Sequence, residues 1–189
     1  MKKYLIMTLT MLLILGTAST FVLAHPGFGP GGIAQPGMMG HGMMESIDSE
    51  YEFLVKMIPH HEEAVYNAKI LRENTNREQM REFAENIIEV QTKEINEMEE
   101  YLAKWYADRT NNYQYEPMMG DYEGLKGEEL DYYFLQDMIF HHMGAVMMSQ
   151  QLIIQGLDEH EEVYQLAMRI RDSQRQEIFM MQDWLAEWY

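Results

Sequence analysis

Two nine-residue segments carry the residue types best suited to chemistry. Met57-Ile58-Pro59-His60-His61-Glu62-Glu63-Ala64-Val65 and Met138-Ile139-Phe140-His141-His142-Met143-Gly144-Ala145-Val146 lie 81 residues apart. Each places a methionine three residues before a histidine pair, and Ala-Val after it. A single His-His carries little information, whereas the whole combination occurring twice points to an internal repeat. Residues three and four apart share a helix face. On a helix, Met57 therefore shares a face with His60 and His61, and Met138 with His141 and His142. One helix can offer a thioether and an imidazole to the same ion. That donor pair favours a soft metal, Cu(I) above all, with silver as a close relative. Met148, six residues after His142, adds another thioether.

Oxygen donors enter from two further stretches. Gln91-x-x-Glu94-Ile95-x-x-Met98 and Gln174-x-x-Glu177-Ile178-x-x-Met181 repeat each other and put Glu94 and Glu177 on apolar stripes. A carboxylate in such a place needs a hydrogen-bonded partner or a metal. His61 and His142, also on apolar stripes, are the natural partners. Glu94, Met98, Glu177 and Met181 then read as a second shell around a metal. Read without a metal, the same Glu-His pairs form a polar layer that fixes the register of a bundle. A ferritin-like di-iron centre needs Glu three residues before each of two histidines. Met57 and Met138 occupy those positions, which disfavours iron and oxidase chemistry.

A third donor cluster lies in residues 25–45, where Gly and Pro density argues against packing. Met38-Met39-Gly40-His41-Gly42-Met43-Met44 cannot be core filling in an unpacked arm, so Met38, Met39, His41, Met43 and Met44 read as a soft-metal catch. The segment before it, residues 1–24, has Lys2 and Lys3, an apolar run from Leu5 to Leu15, and small residues up to Ala24. That pattern is a secretory signal peptide, too short in its apolar core to span a membrane. Cleavage after Ala24 is expected, which makes His25 a candidate N-terminal Cu(II) chelator. The protein is then periplasmic or extracellular.

Composition agrees with a cation as the partner. Without the leader, 12 basic residues face 31 acidic ones, a net charge of −19. Nucleic acid and an anionic membrane are excluded as partners on that balance. There is no cysteine, so neither a disulfide framework nor a thiolate ligand is available. Methionine is abundant, with 19 in the chain, three of them in the leader. Adaptable core filling explains part of that excess.

The donors need helices to position them. Leu54, Met57, His61, Ala64, Ala68 and Leu71 step by three and four, as do Phe83, Ile87, Gln91, Glu94, Met98, Leu102 and Trp105. Leu135, Met138, His142, Ala145, Ser149 and Leu152 form a third stripe, and Leu166, Ile170, Gln174, Glu177, Met181, Leu185 and Trp188 a fourth. His60 and His141 are rotated by about 100° from the neighbouring histidines, toward the stripe's edge. Ser49–Glu52, Thr75–Glu78 and Asp158–Glu161 read as capping boxes, and Gly156 as a C-terminal stop. Pro59 is expected to kink the first helix. His160 reads as a surface residue, and Trp105 and Trp188 as caps of the bundle. No stretch alternates with period two. The expected fold is all-α: an antiparallel four-helix bundle over residues 46–189, made of duplicated hairpins at about 49–108 and 126–189 joined by a connector, 109–125.

With both halves laid out, the sequence resembles domain-of-unknown-function family 305, secreted ferritin-like bundles that include a copper-tolerance protein. The resemblance rests on Phe53-Leu54-x-x-Met57-Ile58-Pro59-His60-His61-x-x-Ala64-Val65, on Gln91 to Met98, and on their second copies. It implies an exported helical domain associated with metal, copper foremost, and no established reaction. The family's usual methionine six residues after the second histidine is Met148 in one half but Asn67 in the other. The expected function is sequestration or buffering of copper, as Cu(I) or Cu(II), or of silver, in the cell envelope. Met57, His60, His61, Met138, His141, His142 and Met148 would be the ligands, and a metal-transfer protein a partner. A metal-dependent oxidase and a purely structural bundle are the alternatives.

Overall fold

The computed structural model describes residues 46–189. The leader and the arm, with His25, Met38, Met39, His41, Met43 and Met44, lie outside the described residues. Four helices follow in order: α1 Glu50–Asn74, α2 Glu78–Trp105, α3 Gly127–Gln155 and α4 Glu161–Trp188. There is no strand among the described residues. No helix there is long and apolar enough to cross a membrane.

The helix ends show which local signals operate. Ser49 caps α1 by accepting from the Glu52 N–H at 3.3 Å, and the Glu52 carboxylate accepts from the Asp48 N–H. Gly156 ends α3 in the left-handed conformation, φ 61°, which only glycine adopts cheaply. Two expected capping boxes are not formed. Thr75 ends α1 and accepts from the Arg77 N–H, so α2 starts after Arg77 with no side-chain cap. Asp158 lies two residues before the His160 N-cap of α4. The Glu50 carboxylate does the work there, accepting from the Glu159 and His160 N–H groups at 2.6 and 2.8 Å. α1 remains one continuous helix through Pro59.

Each hairpin is antiparallel, and α1 packs along α3 in the opposite direction. Ile47 and Gln151 bond to each other at one end of that pair, while Arg77 meets Glu128 and Asp131 at the other. α2 and α4 meet lightly, through Asn86–Glu177, Arg169–Glu97 and Lys104–Glu162.

Two apolar clusters fill the interior. One contains Phe53, Leu54, Met57, Met98, Ala145, Met148, Leu166 and Ile170. The other contains Ala68, Leu71, Phe83, Ile87, Phe134, Leu135, Met138 and Met181. Between them in sequence on all four helices lies one polar layer: His60 and His61, Gln91 and Glu94, His141 and His142, Gln174 and Glu177. Unpartnered polar groups in such a layer are expensive, so their bonding decides what the layer is for.

Candidate metal centre

All four imidazoles are 2% exposed or less. The expectation that His60 and His141 sit at an edge does not hold. α3 covers that face of α1, and the two rings meet with centroids 3.7 Å apart. The connector closes the site further: Tyr115 contacts His60 edge-on at 6.4 Å.

His61 and His142 have the partners expected of them. His61 Nε2 lies 2.9 Å from Glu94 Oε2, and His142 Nε2 lies 2.6 Å from Glu177 Oε2. An ionised carboxylate only accepts, so Nε2 carries the proton and Nδ1 keeps its lone pair. Both Nδ1 atoms are buried without a hydrogen-bond partner. A histidine whose outer nitrogen donates to a carboxylate while the other is left bare is the usual form of a metal-ligating imidazole.

The inner pair is less satisfied still. Neither ring nitrogen of His60 or of His141 makes a well-formed hydrogen bond. His141 Nε2 stands 3.3 Å from Glu63 Oε2. Burial, and then repulsion from His141, His61 and His142, pushes His60 well below the ordinary imidazole value. Burial lowers His141 too, against the opposing pull of Glu63. Both rings are therefore neutral, the form that binds metal. Burial alone would raise Glu63, but the His141 imidazole 3.3 Å away and hydrogen bonds from the Tyr115 hydroxyl and the Met119 N–H hold it below the ordinary carboxylate value.

The methionines divide between the two apolar clusters. Met57, Met98 and Met148 come together in one, Met138 and Met181 in the other. The bundle therefore does not gather all seven expected ligands at a single point. The second cluster also takes in Met119 from the connector. Asn67, which stands where Met148 stands in the other half, donates its side-chain N–H to Met119 Sδ at 3.5 Å. A loop thioether thus lies beside the position where the helix lacks one.

Sequence reasoning passed over the connector's role. Glu63 accepts from the backbone N–H of Met118 and of Met119, at 2.9 and 3.0 Å, and from the Tyr115 hydroxyl. These bonds hold Met118 and Met119 against the histidine layer. The signal available was the Met-Met pair itself, between Pro117 and Gly120 in a stretch without helical period. His160 is likewise no free surface residue. Its Nδ1 pairs with the buried Glu50 at 2.7 Å and its ring stacks on Trp105 at 3.7 Å.

Among the described residues, no three or more His, Cys, Asp or Glu side chains group to hold a metal ion. At any one point of the layer, then, no more than two imidazoles or carboxylates come together, and an ion there would draw on sulfur as well. Such a donor set fits a soft, low-coordinate cation.

The family model for a domain of unknown function, DUF305, matches residues 50–185. The chain belongs to the DUF305 family. The match runs from the first residue of α1 into the last turn of α4, so the DUF305 unit includes both hairpins and the connector. Solved structures of similar fold include CopM in the Cu(I)-bound form, 30% identical, with a TM-score of 0.67 over 76% of this chain and 99% of that one. CopM in a silver-bound form is 29% identical, with a TM-score of 0.66 and the same coverage. A DUF305 protein from Streptomyces coelicolor is 28% identical, with a TM-score of 0.64 over 73% of this chain and 92% of that one. A search of curated proteins finds no match.

Proposed function

We propose that this DUF305 protein is exported and sequesters copper, with silver as a second cargo, in the cell envelope. The observation that carries the proposal is the bonding of the buried layer. Every imidazole in it keeps at least one buried nitrogen with no hydrogen-bond partner. Bare buried nitrogens are destabilising unless a ligand uses them. His60 and His141 form the inner ligands. His61 and His142 offer their Nδ1 atoms as separate donors, one in each half of the layer, with Glu94 and Glu177 as the carboxylates behind them. Met57 and Met148, with Met98, supply thioethers on one side of the layer, and Met138 with Met181 on the other. The arm residues Met38, Met39, His41, Met43 and Met44 catch the ion first, and a metal-transfer protein receives it. Two properties of relatives support the reading: CopM binds Cu(I), Cu(II) and Ag, and the Streptomyces relative is named for secretion.

Titration of the purified protein with Cu(I) against a competing chelator tests this. Replacing His60, His61, His141 and His142 by alanine is expected to abolish the tight site. Unchanged affinity in that variant refutes a bundle site, and loss only on deleting residues 25–45 moves the site to the arm. A second reading, a layer that only fixes register, draws on the direct His61–Glu94 and His142–Glu177 bonds. It predicts the same melting temperature with and without copper.

A further inference from the structure

The repeat is broken at one pair of positions beside the inner imidazoles. Glu63 in the first half corresponds to Gly144 in the second. Glu63 reaches outward to fasten the connector and lies against His141. Gly144 does the reverse: lacking a side chain, it lets His60 and Met118 come close to its backbone. A Cβ built there would stand 3.2 Å from His60 Nε2, 3.5 Å from Met118 Cε and 3.8 Å from Met118 Sδ. The imidazole nitrogen and the end of the thioether side chain therefore lie side by side against Gly144. A glycine inside a helix is destabilising by about 0.5–1 kcal/mol relative to alanine. Here it permits a close approach to the helix backbone that an alanine would crowd. His60 Nε2, which makes that approach, is buried and without a hydrogen-bond partner.

We propose that His60 Nε2 and Met118 Sδ, brought together beside Gly144, form a soft-metal site closed by the connector. This rests on the copper-binding reading and adds a ligand that the His-His repeat does not contain. The cargo is a monovalent d10 cation, Cu(I) or Ag(I), because a neutral imidazole and a neutral thioether suit a soft ion of low charge. Glu63 is a positioning residue: it holds the Met118 backbone from the α1 side. Asp137 holds the next turn of the connector, accepting from the Gly120 N–H at 2.9 Å and the Tyr122 hydroxyl at 3.0 Å. A sulfur carried on a loop, rather than on a helix, can move aside to admit the ion to a buried imidazole.

The test uses protein with 13C-labelled methionine methyls and 15N-labelled histidine, titrated with Ag(I), which is diamagnetic, until no signal changes. Met118→Leu assigns the Met118 methyl. The expected result is that the Met118 methyl and the His60 ring nitrogen shift together, and that Met118→Leu weakens silver binding by about tenfold or more. A His60 shift with a stationary Met118 methyl overturns this inference and leaves the copper reading intact. If neither signal moves, the paired site falls and so does the role of His60 as an inner ligand of the bundle. A Met118 shift without His60 also overturns the paired site.

Discussion

Gly144→Ala separates the stability of the bundle from its capacity to bind metal. Alanine at a helix interior position is favoured over glycine by about 0.8–1.0 kcal/mol. Against that gain, the new methyl would stand 3.2 Å from His60 Nε2, so the ring has to give by a few tenths of an ångström. The ring has little freedom, since it lies against His141 with centroids 3.7 Å apart. Pushing it off its rotamer costs about 0.5–1.5 kcal/mol. The Met118 methyl, 3.5 Å away, ends a flexible side chain and yields more easily. The two effects nearly cancel, and the metal-free variant is expected to stay within about 1 kcal/mol of the parent, a melting shift of roughly 4 °C or less. Metal binding has no such compensation, because the methyl crowds both His60 Nε2 and the Met118 side chain, the two donors the ion needs. Silver or Cu(I) affinity should fall at least tenfold, about 1.4 kcal/mol. Thermal melting by circular dichroism and a chelator-competition titration read the two quantities. Unchanged affinity with unchanged stability refutes the placement of the ion. A collapse in stability refutes the claim that the contact is tolerable.

Other perturbations follow from the same geometry. Glu94→Leu removes the partner of a fully buried His61 and is expected to destabilise the metal-free protein by about 1–3 kcal/mol in chemical denaturation; an unaltered midpoint would show that the 2.9 Å bond contributes nothing. Glu50→Ala strips the Tyr106 hydroxyl and the Glu159 and His160 N–H groups of their acceptor, for a loss of about 2–4 kcal/mol, yet leaves silver affinity unchanged, because that network lies at the bundle's end. Acid should unfold the metal-free protein early. His60 and His141 are shifted down from 6.5, so below pH 6.5 the unfolded chain binds protons that the folded chain refuses. Stability is full above that value and falls as pH drops, by up to about 1.4 kcal/mol per pH unit for each ring. Glu63, shifted down from 4.5, adds a further loss below pH 4.5. Urea denaturation across pH 8 to 4 checks this, and a flat profile between 7 and 5 contradicts it.

The fold was legible because the repeat states it twice. Two copies of Met-x-x-His-His and two of Gln-x-x-Glu-Ile-x-x-Met require two like hairpins, and two hairpins with one apolar stripe each must close on one another. The His61–Glu94 and His142–Glu177 pairs were legible for the same reason, as polar residues at matching depth on partner stripes. What was missed depends on contacts remote in sequence. His60 and His141 are buried by α3 and by the connector, which helical periodicity on one segment does not reveal. The start of α4 is capped by Glu50, 109 and 110 residues away from the amides it accepts from, so the nearby Asp158 misled. The connector has no period, and Met118 and Met119 acquire meaning only once Glu63 is seen to hold their backbone. Gly144 stands where the other half has Glu63, and only its neighbours in space, His60 and Met118, show what that difference does.

The central claim is that the buried histidine layer of the bundle holds the metal. Crystals of the protein grown with Ag(I) or Cu(I), with diffraction recorded at a wavelength where the metal scatters anomalously, test it most directly. The expected result is an anomalous peak inside the bundle at His60 and His141, close to Met118 Sδ. Full metal occupancy on residues 25–45 with no peak in the layer between the two apolar clusters would contradict it.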